Sequence, residues 1–186
     1  MEKIFQRVIA PLSLLLLTLL IIPFFYVYNY SQPVTTTPDN KVVYQLPYPG
    51  ILPDHPLYFL KVTRDQIQAF LTRDNVKKAQ LYLLYSDKRL AMAQALEKKG
   101  KTSLALTTLS KGEKYFLKIP PLLGQASEQG ASPTAEFVDR VKTSNSKHKE
   151  AISEMLQEIP QGSHEPLNEI MKITESSERE MQELQK

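Results

Sequence analysis

PTAEFVDRVKTSNSKHKEAISEMLQEI, residues 133 to 159, decides the fold class of this 186-residue chain. Phe137, Val141, Ser144, His148, Ile152, Met155 and Ile159 recur in it at steps of three and four, which average near the helical repeat of about 3.6 residues. The spacing therefore predicts one long helix from about Pro133 to Ile159 with a single apolar stripe interrupted by polar residues. Ser132-Pro133 with Glu136 supplies the start signal, because proline fits a first helical turn and an acidic group there complements the helix dipole; Pro160-Gln161-Gly162 supplies the stop.

The same pattern continues on both sides. Downstream, Ser163 caps a fifth helix carrying Leu167, Ile170, Thr174, Ser177, Met181 and Leu184 at three-four spacing. Upstream, Gly124 to Gly130 reads as a loop, and Ile119-Pro120-Pro121 breaks or kinks a third helix whose stripe is Ala105, Leu109, Gly112 and Phe116, with Gly112 marking a close helix approach. Gly100 ends a second helix that Asp74 caps. Its two apolar stripes, Val76, Ala79, Leu83 and Leu90 against Leu81, Tyr85, Met92 and Leu96, lie on nearly opposite sides, so it is expected to be sandwiched between the first helix and later ones. The first helix starts at an Asp54 cap with Pro56 in its first turn, ends near Thr72, and has Leu57, Leu60, Ile67, Phe70 and Leu71 as its apolar stripe. Short turns between amphipathic helices force antiparallel neighbours, so the predicted class is all-α: an antiparallel up-down bundle of about five helices over residues 54–186. A composition of 42% hydrophobic and 23% charged residues with only 6 Gly fits that class better than a disordered tail or a turn-dense β-sandwich.

Ahead of the bundle, residues 31–53 are proline-rich and read as a tether, with the apolar half from Tyr44 to Pro53 expected to lie against the domain. From Val8 to Tyr28 there are 21 uncharged residues, long enough as a helix of about 32 Å to cross the roughly 30 Å hydrocarbon core. Lys3 and Arg7 precede the run, so residues 1–7 are expected in the cytoplasm, residues 8–30 as a transmembrane anchor, and the rest outside the cell membrane in a single-pass arrangement. The alternative is a cleaved signal and a secreted protein; the rings of Phe24, Phe25, Tyr26, Tyr28 and Tyr30 stand where a small-residue cleavage site would be wanted.

Zero Cys excludes a disulfide scaffold, a thiolate zinc site, a cysteine nucleophile and a lipid-modified N-terminal cysteine. No phosphate loop or nucleophile elbow is present, and no residue is assigned as catalytic, cofactor-binding or metal-ligating. Glu150, Glu154 and Glu158 line one helix face and read as solvated surface, and Met155, Met171 and Met181 read as core filler. Charge is uneven: residues 41–118 hold 14 Lys and Arg against 6 Asp and Glu, while residues 128–186 hold 7 against 12. Either the two halves attract across the bundle, or Lys77, Lys78, Lys88, Arg89, Lys98, Lys99, Lys101, Lys111 and Lys114 form one basic face for an anionic lipid, a wall polymer or another envelope component. Nucleic acid is disfavoured, because no aromatic strand platform or recognition motif accompanies the basic residues. His148, one turn after Ser144, sits in a bundle seam as either a hydrogen-bonded structural group or the centre of a pH or metal sensor, with Thr174 and Ser177 as prospective neighbours.

Leu52-Pro53, Pro56-Leu57-Tyr58-Phe59-Leu60-Lys61, Asp74 with Lys78-Ala79-Gln80-Leu81, Lys88-Arg89-Leu90-Ala91, and His148 followed by Ile159-Pro160 together resemble a bacterial family catalogued as domain of unknown function 5667, over roughly residues 50 to 185. The resemblance implies a helical extracytoplasmic region, secreted or held by one membrane span, and transfers no activity and no site. The expected function is a non-enzymatic, membrane-anchored interaction module binding an envelope component. The alternative is an extracytoplasmic sensor or holdase-like module responding to pH, metal or client.

Overall fold

The computed structural model describes residues 42–184, and the expected anchor at 8–30 and the first part of the tether lie outside them. Among the described residues there are six α-helices and no strand: α1 Tyr58–Leu71, α2 Asn75–Glu97, α3 Thr102–Phe116, α4 Ile119–Glu128, α5 Ala135–Glu158 and α6 His164–Glu183, with a 3-10 turn at Gln161–Ser163 before α6. None of these helices is long and apolar enough to cross a membrane.

Local chemistry accounts for most of the boundaries. Asp74 accepts the Lys77 backbone N–H at 2.8 Å and opens α2; Thr134 accepts that of Phe137 at 3.3 Å and opens α5. Gly100, at φ +71°, turns the chain so that the Lys101 N–H reaches back to the Leu96 carbonyl at 3.0 Å, closing α2. Three expectations fail here. Ser163 precedes α6, but its side chain makes no capping hydrogen bond. Asp54 caps nothing: it binds Lys99 and Lys101 at 3.2 and 2.8 Å, and α1 starts after Leu57. Gly124 to Gly130 is mostly helix, because Pro120 and Pro121 end α3 but stand in the first turn of α4, where a missing N–H costs nothing.

The buried residues sort into three layers. One apolar layer holds Leu90 and Ala93 of α2, Leu109 of α3, Ile152 of α5 and Ile170 of α6. The other holds Leu83 of α2, Phe116 of α3, Val141 of α5 and Met181 of α6. Between them, in each of α2, α3, α5 and α6, lies a buried polar residue: Asp87, Glu113, His148 with Ser144, and Thr174. The chain passes through the layers in one order in α2 and α5 and in the opposite order in α3 and α6, so these four helices run alternately up and down. Helix α4 closes the end of the second layer through Ile119 and Leu123, and α2 packs on α1, α3, α4 and α5, the central position expected for a helix apolar on two sides.

Helix α1 departs from the expected arrangement. Leu57, Leu60, Ile67, Phe70 and Leu71 face away from the domain, with Phe70 83% and Leu71 68% exposed. The face turned inward is mixed: Tyr85 of α2 donates its hydroxyl to the Asp65 carbonyl at 3.0 Å, and Lys61 reaches the Pro49 carbonyl at 3.3 Å. The Lys61 ammonium is pushed down to about 8 by burial, with Asp65 opposing and the charges of Lys88, Arg89 and Arg64 reinforcing.

Candidate functional site

Among the described residues the polar layer gathers three buried ionisable groups, Asp87, Glu113 and His148. His148 on α5 places Nδ1 2.5 Å from Glu113 Oε1 on α3 and Nε2 3.1 Å from Asp87 Oδ1 on α2. A carboxylate only accepts, so both ring nitrogens carry protons and the ring is an imidazolium. Burial alone would drive the proton off; the Glu113 charge and the hydrogen bonds to both carboxylates outweigh it and hold His148 up to about 10. Every remaining carboxylate oxygen has a donor as well. Ser144 donates to Asp87 Oδ1 at 2.6 Å, Tyr44 to Asp87 Oδ2 at 2.6 Å, and Thr174 to Glu113 Oε2 at 2.8 Å. The edge-on Phe116 ring, 5.3 Å away between centroids, covers the imidazolium.

This constellation contains an acid, a histidine and a serine, yet its bonding differs from that of a nucleophilic triad. Ser144 donates to the carboxylate, and the imidazole has no nitrogen left to take a proton from it. His148 and Glu113 are wholly buried. Four helices and the N-terminal segment each contribute one or two members, so the network holds one particular alignment of α2, α3, α5 and α6. Among the described residues no group of three or more acidic or histidine side chains is placed to hold a metal ion.

Sequence reasoning singled out His148 and Ser144, and the structure joins them through Asp87. Thr174 enters through Glu113, whereas Ser177 turns to the Ile173 carbonyl of its own helix. Asp87, Glu113 and Tyr44 were missed. The signal for the first two was an acidic residue standing within an apolar stripe, Asp87 between Leu83 and Leu90 and Glu113 between Leu109 and Phe116. The apolar half of the tether does lie on the domain, where Leu46 packs on the core. Just ahead of it the Val42 N–H donates to Glu150 at 2.6 Å, so Glu150, its side chain only 17% exposed and also bound by Lys147, is a tie point and not the solvated surface group expected. Met155 and Met181 are buried core, and Met171 packs against it.

The nine basic residues do not make one face. Lys77 and Lys78 stand at the start of α2, and Lys98, Lys99 and Lys101 lie beyond its far end, about 30 Å away along a 23-residue helix. Lys99 and Lys101 are engaged by Asp54. What the structure does bring together is Arg89, Lys111 and Lys114, joined by Lys118, around a groove of about 280 Å³ that Tyr58, Val62, Gln66 and Tyr115 complete. Arg89 is largely buried, donating to the Tyr58 hydroxyl at 3.1 Å with its guanidinium 5.1 Å from the Tyr115 ring centre. The Lys118 ammonium lies 5.5 Å from the ring centres of both Tyr82 and Tyr115. No carboxylate lines the groove. The lining thus carries four cations and two tyrosine rings.

No curated protein and no solved structure matches the chain. The model of one family, described as Domain of unknown function (DUF5667), matches residues 50–162, a stretch that takes in α1 to α5, the cationic groove, and Asp87, Glu113 and His148 of the polar layer. The chain belongs to that family.

Proposed function

We propose that this protein is a non-enzymatic binding module, anchored in the cell membrane by residues 8–30 with residues 1–7 in the cytoplasm, whose helical domain outside binds an anionic envelope component, lipid headgroup or wall polymer, in the groove between α1, α2 and α3. The observation that carries this reading is the convergence of Arg89, Lys111, Lys114 and Lys118 on one concave, aromatic-walled surface with no acidic residue in its lining. The volume suits a phosphate or carboxylate group with its immediate substituents and is too small for a folded partner. A non-enzymatic role is supported by the sealing of the His148 network, which leaves its imidazolium without a free nitrogen. A neutral-pH sensor centred on His148 finds less support, because the flanking carboxylates keep the ring charged to about 10.

The test uses the full chain in zwitterionic lipid discs titrated with soluble poly(glycerol phosphate), and separately with vesicles containing an anionic lipid. Binding to either that weakens steeply with salt and is lost in Lys111→Glu/Lys114→Glu/Lys118→Glu supports the reading and identifies the source of the anion. Binding unchanged by the triple reversal, or none to any anion, overturns it.

A further inference from the structure

Helix α1 is amphipathic with its apolar side outward. At about 100° per residue, Phe59, Leu60, Ile67, Phe70 and Leu71 fall within one arc of roughly 120°, and all five are exposed, Phe59 by 62%. Tyr58, Lys61, Val62 and Asp65 occupy the opposite arc, where Tyr58, Lys61 and Asp65 bond to other parts of the domain. A helix exposed to water on that side would be expected to carry polar residues there; two phenyl rings and three branched side chains side by side form a patch that needs cover.

We propose that the bilayer itself is the cover: α1 lies flat in the interfacial region of the membrane to which the protein is tethered, with Phe59, Leu60, Ile67, Phe70 and Leu71 at the boundary of the acyl chains. This rests on the anchored reading above. Charge selects lipid over a protein partner. From Leu57 to Lys77 there are four cations, Lys61, Arg64, Arg73 and Lys77, against two acids. Asp65 is buried and bonds Arg64 at 2.6 Å, and the Asp74 carboxylate caps α2, so Arg73 and Lys77 are exposed cations at the end of the arc without an ion pair among the described residues. An apolar helical face with an excess of cations over acids at its end is an arrangement that inserts shallowly and gathers anionic headgroups. Reach agrees. Residues 29–41, thirteen in all, separate the apolar run from the first described residue and span at most about 47 Å even fully extended, so Val42 and the domain that it enters are held within that distance of the membrane.

The absence of Cys permits single-site labelling. The full chain, carrying an environment-sensitive dye at Phe70→Cys or at Glu175→Cys on α6, is reconstituted into vesicles of phosphatidylcholine with phosphatidylglycerol, and helicity is checked by circular dichroism. The expected result is a blue-shifted emission at position 70, quenched by lipids brominated on their acyl chains and reduced in pure phosphatidylcholine, with position 175 reporting water. Protein that floats with the vesicles while position 70 is as water-exposed as position 175 overturns the docked helix and leaves the anchor standing. A blue shift that vanishes as the protein is diluted in lipid assigns the face to a second copy and also overturns it. A chain whose N-terminus is found beyond residue 30 but which keeps the lipid-quenched signal removes the anchor and upholds the docked helix, and a chain that does not float at all removes both.

Discussion

Glu113 Oε1 and His148 Nδ1 meet at 2.5 Å with neither side chain reached by solvent. A buried ion pair of this kind contributes little net stability when compared with an apolar replacement, but removing one partner strands the other charge. His148→Gln leaves Asp87 and Glu113 in the core without their cation, and the expected loss is about 3–5 kcal/mol at neutral pH, measured by urea unfolding.

The pH dependence of that loss has a definite sign. A histidine raised from 6.5 to about 10 contributes stability in full below its unfolded value and surrenders it as pH climbs through the folded one. The gap between native chain and His148→Gln should therefore be wide at pH 6.5 and narrow steadily toward pH 10. Lys61, lowered to about 8, has the opposite slope between that value and its unfolded 10.5, so only the difference between the two chains isolates His148. A gap that stays constant over the range would refute the imidazolium assignment.

Replacing the whole charged set tests what it is for. Asp87→Val/Glu113→Leu/His148→Leu removes both carboxylates together with their cation, and its stability should lie within about 2 kcal/mol of the native chain, above that of His148→Gln. The alignment of the four helices should become less unique, read as broadened side-chain signals in NMR spectra. A triple variant less stable than the single one would show that the network stabilises outright.

Two glycines inside helices predict opposite outcomes. A methyl group at Gly112 would meet Arg89 Cβ at 3.0 Å and the Ser86 carbonyl at 3.4 Å, atoms fixed to the α2 backbone, so Gly112→Ala should destabilise despite a propensity gain of about 1 kcal/mol. At Gly124 the nearest atom is Leu184 Cδ2 at 3.1 Å, the end of a side chain that can rotate away, so Gly124→Ala should raise the melting temperature. Thermal unfolding of both variants decides; a gain at Gly112 would contradict the close α2–α3 approach.

Tyr44→Phe removes one hydroxyl and leaves Asp87 Oδ2 without its donor. A hydrogen bond to a charged group contributes about 1.5–3 kcal/mol, so amide exchange should accelerate from Val42 to Leu46 and global stability should fall by about that amount. Unchanged protection across the segment would mean that Leu46 packing alone holds it.

The helices were legible wherever a stripe of residues pointed one way, as in α5 with Phe137, Val141, Ile152 and Met155. Periodicity reports that a helix has an apolar side and is silent about what that side meets, which is why Leu60, Ile67 and Phe70 gave the right element and the wrong orientation. Pro120-Pro121 was read as an end and is also a beginning, because proline is excluded from a helix interior but accommodated in its first turn. His148 was visible as a polar break in a stripe; its partners come from other helices 35 and 61 residues away, a separation that no local pattern encodes. The basic run likewise gave Arg89, Lys111 and Lys114 without saying that α2 and α3 would bring them beside Lys118.

The point at which the N-terminal segment is fastened has a mechanical consequence. Val42 and Tyr44 are bound to Glu150 of α5 and Asp87 of α2, ahead of α1 in the chain and at the middle of the bundle. Tension applied to the chain from upstream would load the centre of the domain directly and bypass α1. The first bond loaded would be the one from Val42 to Glu150 and the next the one from Tyr44 to Asp87, so traction on the leash would reach the buried charges before any outer coil peeled away.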